Sequence, residues 1–316
     1  MEKVLITGGA GFIGSHFIKY LLKKTSAWEI TNVDKLTYAG NLKTLSEIAS
    51  DSRYQFVQAD IIDFQKMRKL TSGASLIVNF AAESHVDRSI EDASPFVKTN
   101  VEGTRVLLEV ARINKVKKFV QVSTDEVYGS IKTGQFTESS TVKPSSPYSA
   151  SKAAADMLVL AYVKTYGLPA VITRCSNNYG SYQFPEKLIP FFTTRVLKDE
   201  PLPLYGNGHN IRDWIYVLDH CEAIHAVMDE GEVGEVYNIG AECEKTNLEI
   251  VQLILKHFNK PPSLIKFVKD RLGHDERYAI SNKKMQTQIG WTPRYSFDDK
   301  FPETLDWYAK HLNWWN

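Results

Sequence analysis

The chain has 316 residues, of which 43% are hydrophobic and 24% charged, and its formal net charge is +1 at pH 7. This length exceeds that of one typical domain and allows a large buried core. A net charge near zero gives no electrostatic basis for binding nucleic acid or an anionic membrane surface, and no apolar stretch is long enough to span a bilayer. The chain begins directly with a predicted strand and has only three dispersed cysteines, so we expect no signal peptide and a cytoplasmic location with reduced thiols.

A glycine-rich motif stands at the start of the chain. Residues 4–7 form a short apolar run typical of a strand, and Gly9, Gly11 and Gly14 follow with G-x-G-x-x-G spacing before a helical pattern. Strand, glycine turn and helix in this order are the context in which the motif binds a dinucleotide. The glycines allow a tight turn and a close approach of the pyrophosphate, which the N-terminus of the helix then binds.

Asp34 ends the second predicted strand and follows the glycine motif at the distance expected for a ribose-binding carboxylate. A carboxylate at this place accepts hydrogen bonds from the adenosine ribose and repels a 2′-phosphate, which favours NAD over NADP. The adjacent Lys35 is a counter-indication, because a cation tolerates a phosphate. A solvated aspartate at a strand end is the alternative interpretation of Asp34.

Strands and helices alternate over the first half of the chain. The clearest helical patterns cover residues 96–113 and 149–166. This order predicts an α/β fold with a doubly wound parallel Rossmann sheet, right-handed crossovers and ligands beyond the carboxyl ends of the strands. The predicted strands are residues 4–7, 30–33, 54–58, 76–80, 119–123 and 170–173.

The second half is less regular, because proline and glycine break it into short elements. A strand at 235–240 is predicted to return to the sheet, and a helix is predicted near 247–258. We therefore expect an NAD-binding Rossmann domain at 1–176, with a returning segment near 213–240. Residues 177–316 are expected to form mainly a smaller C-terminal α/β lobe that binds the substrate.

Groups able to transfer protons follow the fifth predicted strand. Thr124, Asp125 and Glu126 lie at its end, and Tyr148 and Lys152 are four residues apart on a predicted helix, so they share a face. We expect the lysine ammonium to lower the pKa of the phenol, which makes tyrosinate available as a base. Two adjacent carboxyl groups disfavour double ionisation, so that one acts as an acid and the other as a base. This set predicts hydride transfer coupled to a further proton transfer.

The sequence resembles the extended short-chain dehydrogenases/reductases over essentially its whole length, and in particular the dTDP-glucose 4,6-dehydratases. The Thr-Asp-Glu triplet at 124–126 is the discriminating feature, since the related epimerases and decarboxylases usually lack the acid pair. Besides the glycine motif, the resemblance rests on residues 33–41, 79–89, 123–129, 174–180, 212–217 and 270–275.

The resemblance implies NAD as cofactor, dTDP-glucose as substrate and 4,6-dehydration as reaction, with no metal. In that reaction Tyr148, tuned by Lys152, takes the proton of the 4-hydroxyl, and Thr124 hydrogen-bonds the same oxygen. Glu126 takes the C5 proton, and Asp125 protonates the departing 6-hydroxyl. A UDP-sugar 4,6-dehydratase and a sugar-nucleotide 4-epimerase remain alternatives, as does a dinucleotide-binding scaffold or redox sensor without turnover.

The resemblance also implies the residues that bind the two ligands. Arginine and lysine suit a nucleotide diphosphate, and Leu272 stands where the family commonly has proline. The implied cofactor-binding residues are Gly8, Gly11, Phe12, Ile13, Gly14, Asp34, Lys35, Thr37, Asp60, Ile61, Ala81, Ala82, Glu83, Ser84, His85, Thr99, Ser123, Tyr148, Lys152 and Asn177. The implied substrate-binding residues are Ser84, Thr124, Asp125, Glu126, Asn177, Lys187, Leu188, Pro203, Tyr205, Arg212, Asn247, Arg271, His274 and Tyr278.

The predicted helix at 149–166 is apolar over more of its circumference than one sheet face can bury. The helix at 96–113 is also rich in apolar residues. Two such helices from each of two subunits can form a four-helix interface with two-fold symmetry. We therefore expect a homodimer, as the resemblance also implies.

Overall fold

Seven parallel strands form the main sheet of the computed structural model, which describes residues 1–315. All six strands predicted for the first half are present, and so is the returning strand, with bounds within two residues of those expected. The strands are β1 (Glu2–Thr7), β2 (Trp28–Asp34), β3 (Tyr54–Gln58), β4 (Leu76–Asn79), β5 (Lys118–Thr124), β6 (Ala170–Cys175) and β10 (Val236–Ile239). Their spatial order, β3-β2-β1-β4-β5-β6-β10, is that of a doubly wound Rossmann sheet.

Helices connect the strands. The predicted helix at 96–113 is helical throughout. It begins in a short α-helix that ends at Phe96, continues as a π-helical segment (Val97–Gly103) and ends in an α-helix that covers Thr104–Ile113. Of the residues described, no helix combines the length and hydropathy needed to cross a membrane. The α-helices are α1 (Phe12–Lys24), α2 (Phe64–Leu70), α3 (Val86–Glu91), α4 (Ser94–Phe96), α5 (Thr104–Ile113), α6 (Pro147–Tyr166), α7 (Leu188–Leu197), α8 (Val217–Glu230), α9 (Asn247–His257) and α10 (Phe297–Lys310).

The main sheet is buried on both faces, as expected for parallel strands with crossover helices. On one face Ile6 packs in a cluster with Phe17 of α1 and Ile224 of α8. On the other, Leu5 packs in a cluster with Leu107 of α5 and Val159 of α6. Neighbouring residues of β1 therefore support opposite helix layers, which fixes the register of the sheet between them.

The second half of the chain has a core of its own. Two small sheets lie here, and α7, α9 and α10 contribute to a cluster that includes Phe192, Ile254 and Phe301. The domain bounds expected from the sequence remain a prediction. The strands of the small sheets are β7 (Asn177–Tyr179), β8 (Leu202–Tyr205), β9 (Ile211–Tyr216), β11 (Glu244–Thr246) and β12 (Ile265–Val268).

A buried ion pair ties α6 to the sheet. Arg174 Nε of β6 donates to Asp156 Oδ2 at 2.9 Å, and both side chains are at most 2% exposed. The guanidinium carbon also lies 4.8 Å from the centroid of the Tyr128 ring, whose hydroxyl donates to Asn238 Oδ1 of β10. Because Asp156 lies one helical turn beyond Lys152, this network sets where the catalytic face of α6 stands.

Replacing Asp156 should therefore destabilise the fold. In Asp156→Ala the Arg174 guanidinium loses its counter-charge while buried, and such changes cost about 3–5 kcal/mol. The free energy of unfolding from urea titration measures this loss. Glu2→Ala is the matched control, because it breaks an exposed ion pair with Lys117 and should cost only a small fraction of that energy. Equal losses in the two variants would contradict the anchoring role.

Candidate active site

A crevice opens at the carboxyl edge of the main sheet. Residues that follow β1, β2, β3, β4, β5 and β6 line it, together with residues preceding and beginning α7. Ligands of open parallel sheets bind at this edge, where the strand order reverses. The crevice is therefore the place where the sequence predicts both ligands.

The glycine motif makes one end of the crevice. Gly8 has φ +72°, and a Cβ there would lie 2.5 Å from the nitrogen of Ala81, while a Cβ on Gly14 would clash with the carbonyl oxygen of Gly8. Helix α1 starts after Gly11 without a side chain that caps its first turn. Its first N–H groups are thus available to an anion, and the turn is narrow enough to fit only glycine, which suits a pyrophosphate.

Asp34 lies beside this turn with its orientation fixed. Its Oδ2 accepts from the backbone nitrogen of Ala10 at 3.0 Å, and its Oδ1 accepts from that of Leu36 at 2.8 Å. Lys35 Nζ lies 2.7 Å from Asp60 Oδ2. The Lys35 ammonium, which alone would tolerate the 2′-phosphate of NADP, is thus paired with the Asp60 carboxylate. This pairing makes it a poorer partner for a 2′-phosphate.

The five predicted catalytic residues come together along the crevice. Thr124 ends β5, and its Oγ1 accepts from the backbone nitrogen of Glu126 at 3.2 Å, so it caps the short helical turn Asp125–Tyr128. Tyr148 and Lys152 face the crevice from α6, which begins after Ser146 with Pro147 at its first position. Asp125, Tyr148 and Lys152 are all at most 8% exposed.

The electrostatics of the two carboxyl groups differ. Burial raises the pKa of Asp125 well above its ordinary value, and the nearby charge of Glu126 raises that pKa further. Burial also raises the pKa of Glu126, but Arg271, Arg212 and Lys187 oppose the rise. Asp125 is therefore the group that keeps its proton, and Glu126 is the one that ionises more easily.

The Tyr148 environment differs from the sequence expectation. Lys152 Nζ donates to the carbonyl oxygen of Val122 at 2.7 Å. Burial, followed by the charge of Glu126, raises the pKa of the Tyr148 phenol well above its ordinary value, and only the Thr124 hydroxyl lowers it noticeably. The net shift is thus opposite to the expected lowering by Lys152: desolvation of the phenol dominates, and the ammonium is directed at the β5 backbone.

Of the twenty residues predicted to bind the cofactor, all but His85 line the crevice. His85 is not among the lining residues, but its Nε2 lies 3.9 Å from Oε2 of Glu186, which is one of them. Of the predicted substrate residues, half line the crevice as well, namely Ser84, Thr124, Asp125, Glu126, Asn177, Lys187 and Leu188.

The other predicted substrate residues lie outside the lining of the crevice but largely contact one another. The Arg212 guanidinium carbon is 4.1 Å from the centroid of the Tyr278 ring, and the rings of Tyr205 and His274 are 6.3 Å apart. Arg271 forms a loose ion pair with Asp87, at 3.8 Å. The remaining two, Pro203 and Asn247, lie in β8 and at the start of α9.

Several lining residues were not predicted from the sequence. Glu186 and Gln183 line the crevice, yet nothing in their local patterns distinguishes them from packing residues. Trp214 lines it as well, and it stands within the segment 212–217 that carries part of the resemblance. Cys175 and Asn178 stand within the motif at 174–180, from which only Asn177 was selected. That motif was the available signal, because it follows β6 directly at the carboxyl edge of the sheet.

Comparisons with known proteins agree with this geometry. A family model described as GDP-mannose 4,6 dehydratase matches residues 5–304. The dTDP-glucose 4,6-dehydratase of Streptomyces niveus is 49% identical over 317 residues, which cover 99% of this chain and 94% of that protein.

Solved structures give the same result. DesIV, a dTDP-glucose 4,6-dehydratase from Streptomyces venezuelae crystallised with NAD, superposes with a TM-score of 0.98 and 48% identity over 99% of each chain. A UDP-glucuronic acid 4-epimerase from Bacillus cereus, in complex with UDP-glucuronic acid and NAD, reaches a TM-score of 0.92 but only 30% identity, over 98% of this chain and 99% of that one. The chain belongs to the GDP-mannose 4,6 dehydratase family and, within it, to the dTDP-glucose 4,6-dehydratases.

Proposed function

We propose that the crevice converts dTDP-glucose into dTDP-4-keto-6-deoxyglucose, with NAD as cofactor. The protein is thus an NAD-dependent hydro-lyase of nucleotide-sugar metabolism. The observation that carries the proposal is the acid pair: a buried carboxyl group that keeps its proton, Asp125, stands beside a more easily ionised one, Glu126, next to Tyr148 and Lys152. A plain dehydrogenase or a 4-epimerase needs only the last two.

The residues at the glycine turn and Asp34 fit NAD, since the turn admits a pyrophosphate and the carboxylate suits an unphosphorylated ribose. When bound, NAD supplies the acceptor and later the donor of the hydride, and its oxidised ring adds a positive charge to the site. A positive charge near the phenol would favour the ionised form of Tyr148 and so would offset the desolvation that raises its pKa. Lys152 keeps the α6 end of the site bound to β5.

The protons are then moved by this chain's own side chains. Tyr148 takes the proton of the sugar 4-hydroxyl as the C4–H bond breaks, and Thr124 holds the same oxygen. The resulting ketone acidifies C5, whose proton passes to Glu126, while Asp125 gives its proton to the 6-hydroxyl, which leaves as water. Asp125 Oδ2 is buried and hydrogen-bonds to none of residues 1–315, so it is available to that hydroxyl. Hydride return to C6 and reprotonation of C5 complete the cycle without net oxidation.

The nucleotide base is the less constrained part of the substrate. Thymine and uracil differ by one methyl group, which an apolar pocket discriminates only modestly. A UDP-sugar 4,6-dehydratase therefore remains an alternative for the base, whereas the acid pair argues against the 4-epimerase alternative. A cytoplasmic location is proposed as well: the three cysteines are unpaired, which suits a reducing compartment.

Incubation of the enzyme with dTDP-glucose should yield a product lighter by one water, as measured by mass spectrometry. UDP-glucose should react more slowly. With dTDP-glucose deuterated at C4, the label should be found at C6 of the same molecule, because the hydride stays on the bound cofactor. Loss of the label to solvent, or a product of unchanged mass, would contradict the dehydratase mechanism.

Mutation should separate the loss of water, which needs Asp125 and Glu126, from the oxidation of C4, which needs Tyr148. Glu126→Gln and Asp125→Asn should still oxidise C4 but slow the loss of water by a factor of about 10² to 10⁴, the usual effect of removing a general acid or base. Enzyme-bound NADH should then accumulate, as measured by absorbance in a single turnover. Tyr148→Phe is the control that should form no NADH. Full dehydratase activity in both carboxyl variants would exclude the assigned roles.

We also propose a homodimer built on the faces of α6 and the 97–103 segment. Met157 and Val97 are 46% and 54% exposed, which is unusual for large apolar side chains on neighbouring helices. Light scattering should give twice the chain mass of 35.8 kDa at micromolar concentration. Met157→Glu should shift the mass toward the monomer because it buries a charge at the interface, whereas Phe267→Glu, on the exposed β12, should not. A wild-type monomer would refute the proposal.

A further inference from the structure

A strap formed by residues 183–188 makes one wall of the crevice. All of its residues except Pro185 line the crevice. At its first residue, the backbone nitrogen of Gln183 donates to the Tyr308 hydroxyl of α10 at 3.0 Å, and Gln183 Nε2 donates to the carbonyl oxygen of Asn178 at 3.0 Å. One end of the strap is therefore bound to the C-terminal helix.

The other end of the strap is bound to the loop that follows β2, to the loop that follows β4 and to helix α3. The Tyr38 hydroxyl donates to Glu186 Oε1 at 2.9 Å, and Arg88 Nη2 lies 3.3 Å from Glu186 Oε2. Lys187 Nζ donates to the carbonyl oxygen of Ser84 at 2.6 Å. We call Tyr38, Arg88 and Glu186 the clasp. None of the three was predicted to bind either ligand.

The members of the clasp support one another. The Arg88 guanidinium carbon lies 3.8 Å from the centroid of the Tyr38 ring, which also contacts the Phe184 ring of the strap. The Glu186 side chain is only 11% exposed. Its Oε2 has no hydrogen-bond partner among residues 1–315, so this buried carboxylate depends on the Tyr38 hydrogen bond and on the nearby charge of Arg88. Loss of either contact therefore destabilises the closed strap relative to an open one. Burial lowers the pKa of the nearby His85, so at neutral pH the positive charges near Glu186 come from Arg88 and the adjacent Lys187.

The proposed reaction makes a specific demand on this wall. The hydride removed from C4 must stay on the cofactor until it returns to C6. Release of the reduced cofactor between these two transfers would leave a 4-keto sugar that cannot be reduced at C6. Resting on the proposed function, we propose that the clasp holds the strap closed over the cofactor and retains it in its reduced form between the two hydride transfers. Glu186 acts here as a positioning residue: it attaches the strap, of which it is part, to Tyr38 and Arg88, and it is assigned no contact with the reacting atoms.

The release of cofactor can be measured without any sugar. Enzyme preloaded with NADH is mixed with excess NAD⁺, and the decay of NADH fluorescence gives the dissociation rate. Tyr38→Phe removes one hydrogen bond to a charged acceptor while it keeps the ring against Arg88, so release should become about tenfold faster. Glu186→Ala removes both contacts and should release faster still. Glu186→Gln keeps an acceptor for Tyr38 and should fall between wild type and Glu186→Ala.

Tyr20→Phe is the matched control, because it removes a phenol contact with His225 Nδ1, at 3.3 Å, between α1 and α8; its release rate should equal that of wild type. The thermal unfolding midpoint of Tyr38→Phe should be unchanged, whereas a purely structural defect would lower it. During turnover of dTDP-glucose, the clasp variants should lose NADH to solution. Release at the wild-type rate in both Tyr38→Phe and Glu186→Ala would overturn the clasp. Because the release assay needs no sugar, its result is independent of whether dTDP-glucose is the substrate.

Discussion

The structure depends on one constraint: the ionisable groups of the site are withdrawn from water, and each buried charge needs a partner. The partner of Asp156 is Arg174, and this ion pair fixes the position of α6 against the sheet. Lys152, one turn earlier, donates to the backbone of β5 at the carbonyl oxygen of Val122. The helix that carries the phenol is thus attached to two neighbouring strands by charged contacts as well as by its apolar face.

The same constraint connects the two halves of the chain. Glu126 belongs to the turn after β5, but the cations that favour its ionised form belong to later segments: Lys187 precedes α7, Arg212 lies in β9, and Arg271 follows β12. Asp125, its neighbour in sequence, shares less of this compensation, and its raised pKa favours the protonated form. Adjacent side chains of almost equal chemistry thus acquire different proton affinities from residues remote in sequence. Two adjacent carboxyl groups in a solvated loop would not differ in proton affinity in this way.

Much of the fold could be predicted from the sequence, because its determinants are local. Strand positions follow from short apolar runs, and the crevice follows from the glycine motif and from polar residues after successive strands. The π-helical segment at 97–103 could not be predicted, since its composition is that of an ordinary helix. Neither could the direction of the Lys152 ammonium, which is set by a carbonyl group on another element, nor the contact between Tyr38 and Glu186, which are 148 residues apart. For Lys152 and for Tyr38, a contact with another element selects one conformation among several that the local sequence does not distinguish.

The hydrogen bonds of Asp34 have a consequence for redesign of the cofactor preference. The carboxylate expected to discriminate between a free and a phosphorylated ribose also accepts from the backbone nitrogens of Ala10 and Leu36. Leu36 has φ +58°, a conformation that an uncharged neighbour would support less well. Exchanging the carboxylate for a small neutral residue would therefore remove a support of the glycine turn along with the discriminating charge. A change of coenzyme would have to supply a substitute acceptor at this position, so selectivity and loop architecture cannot be altered separately here.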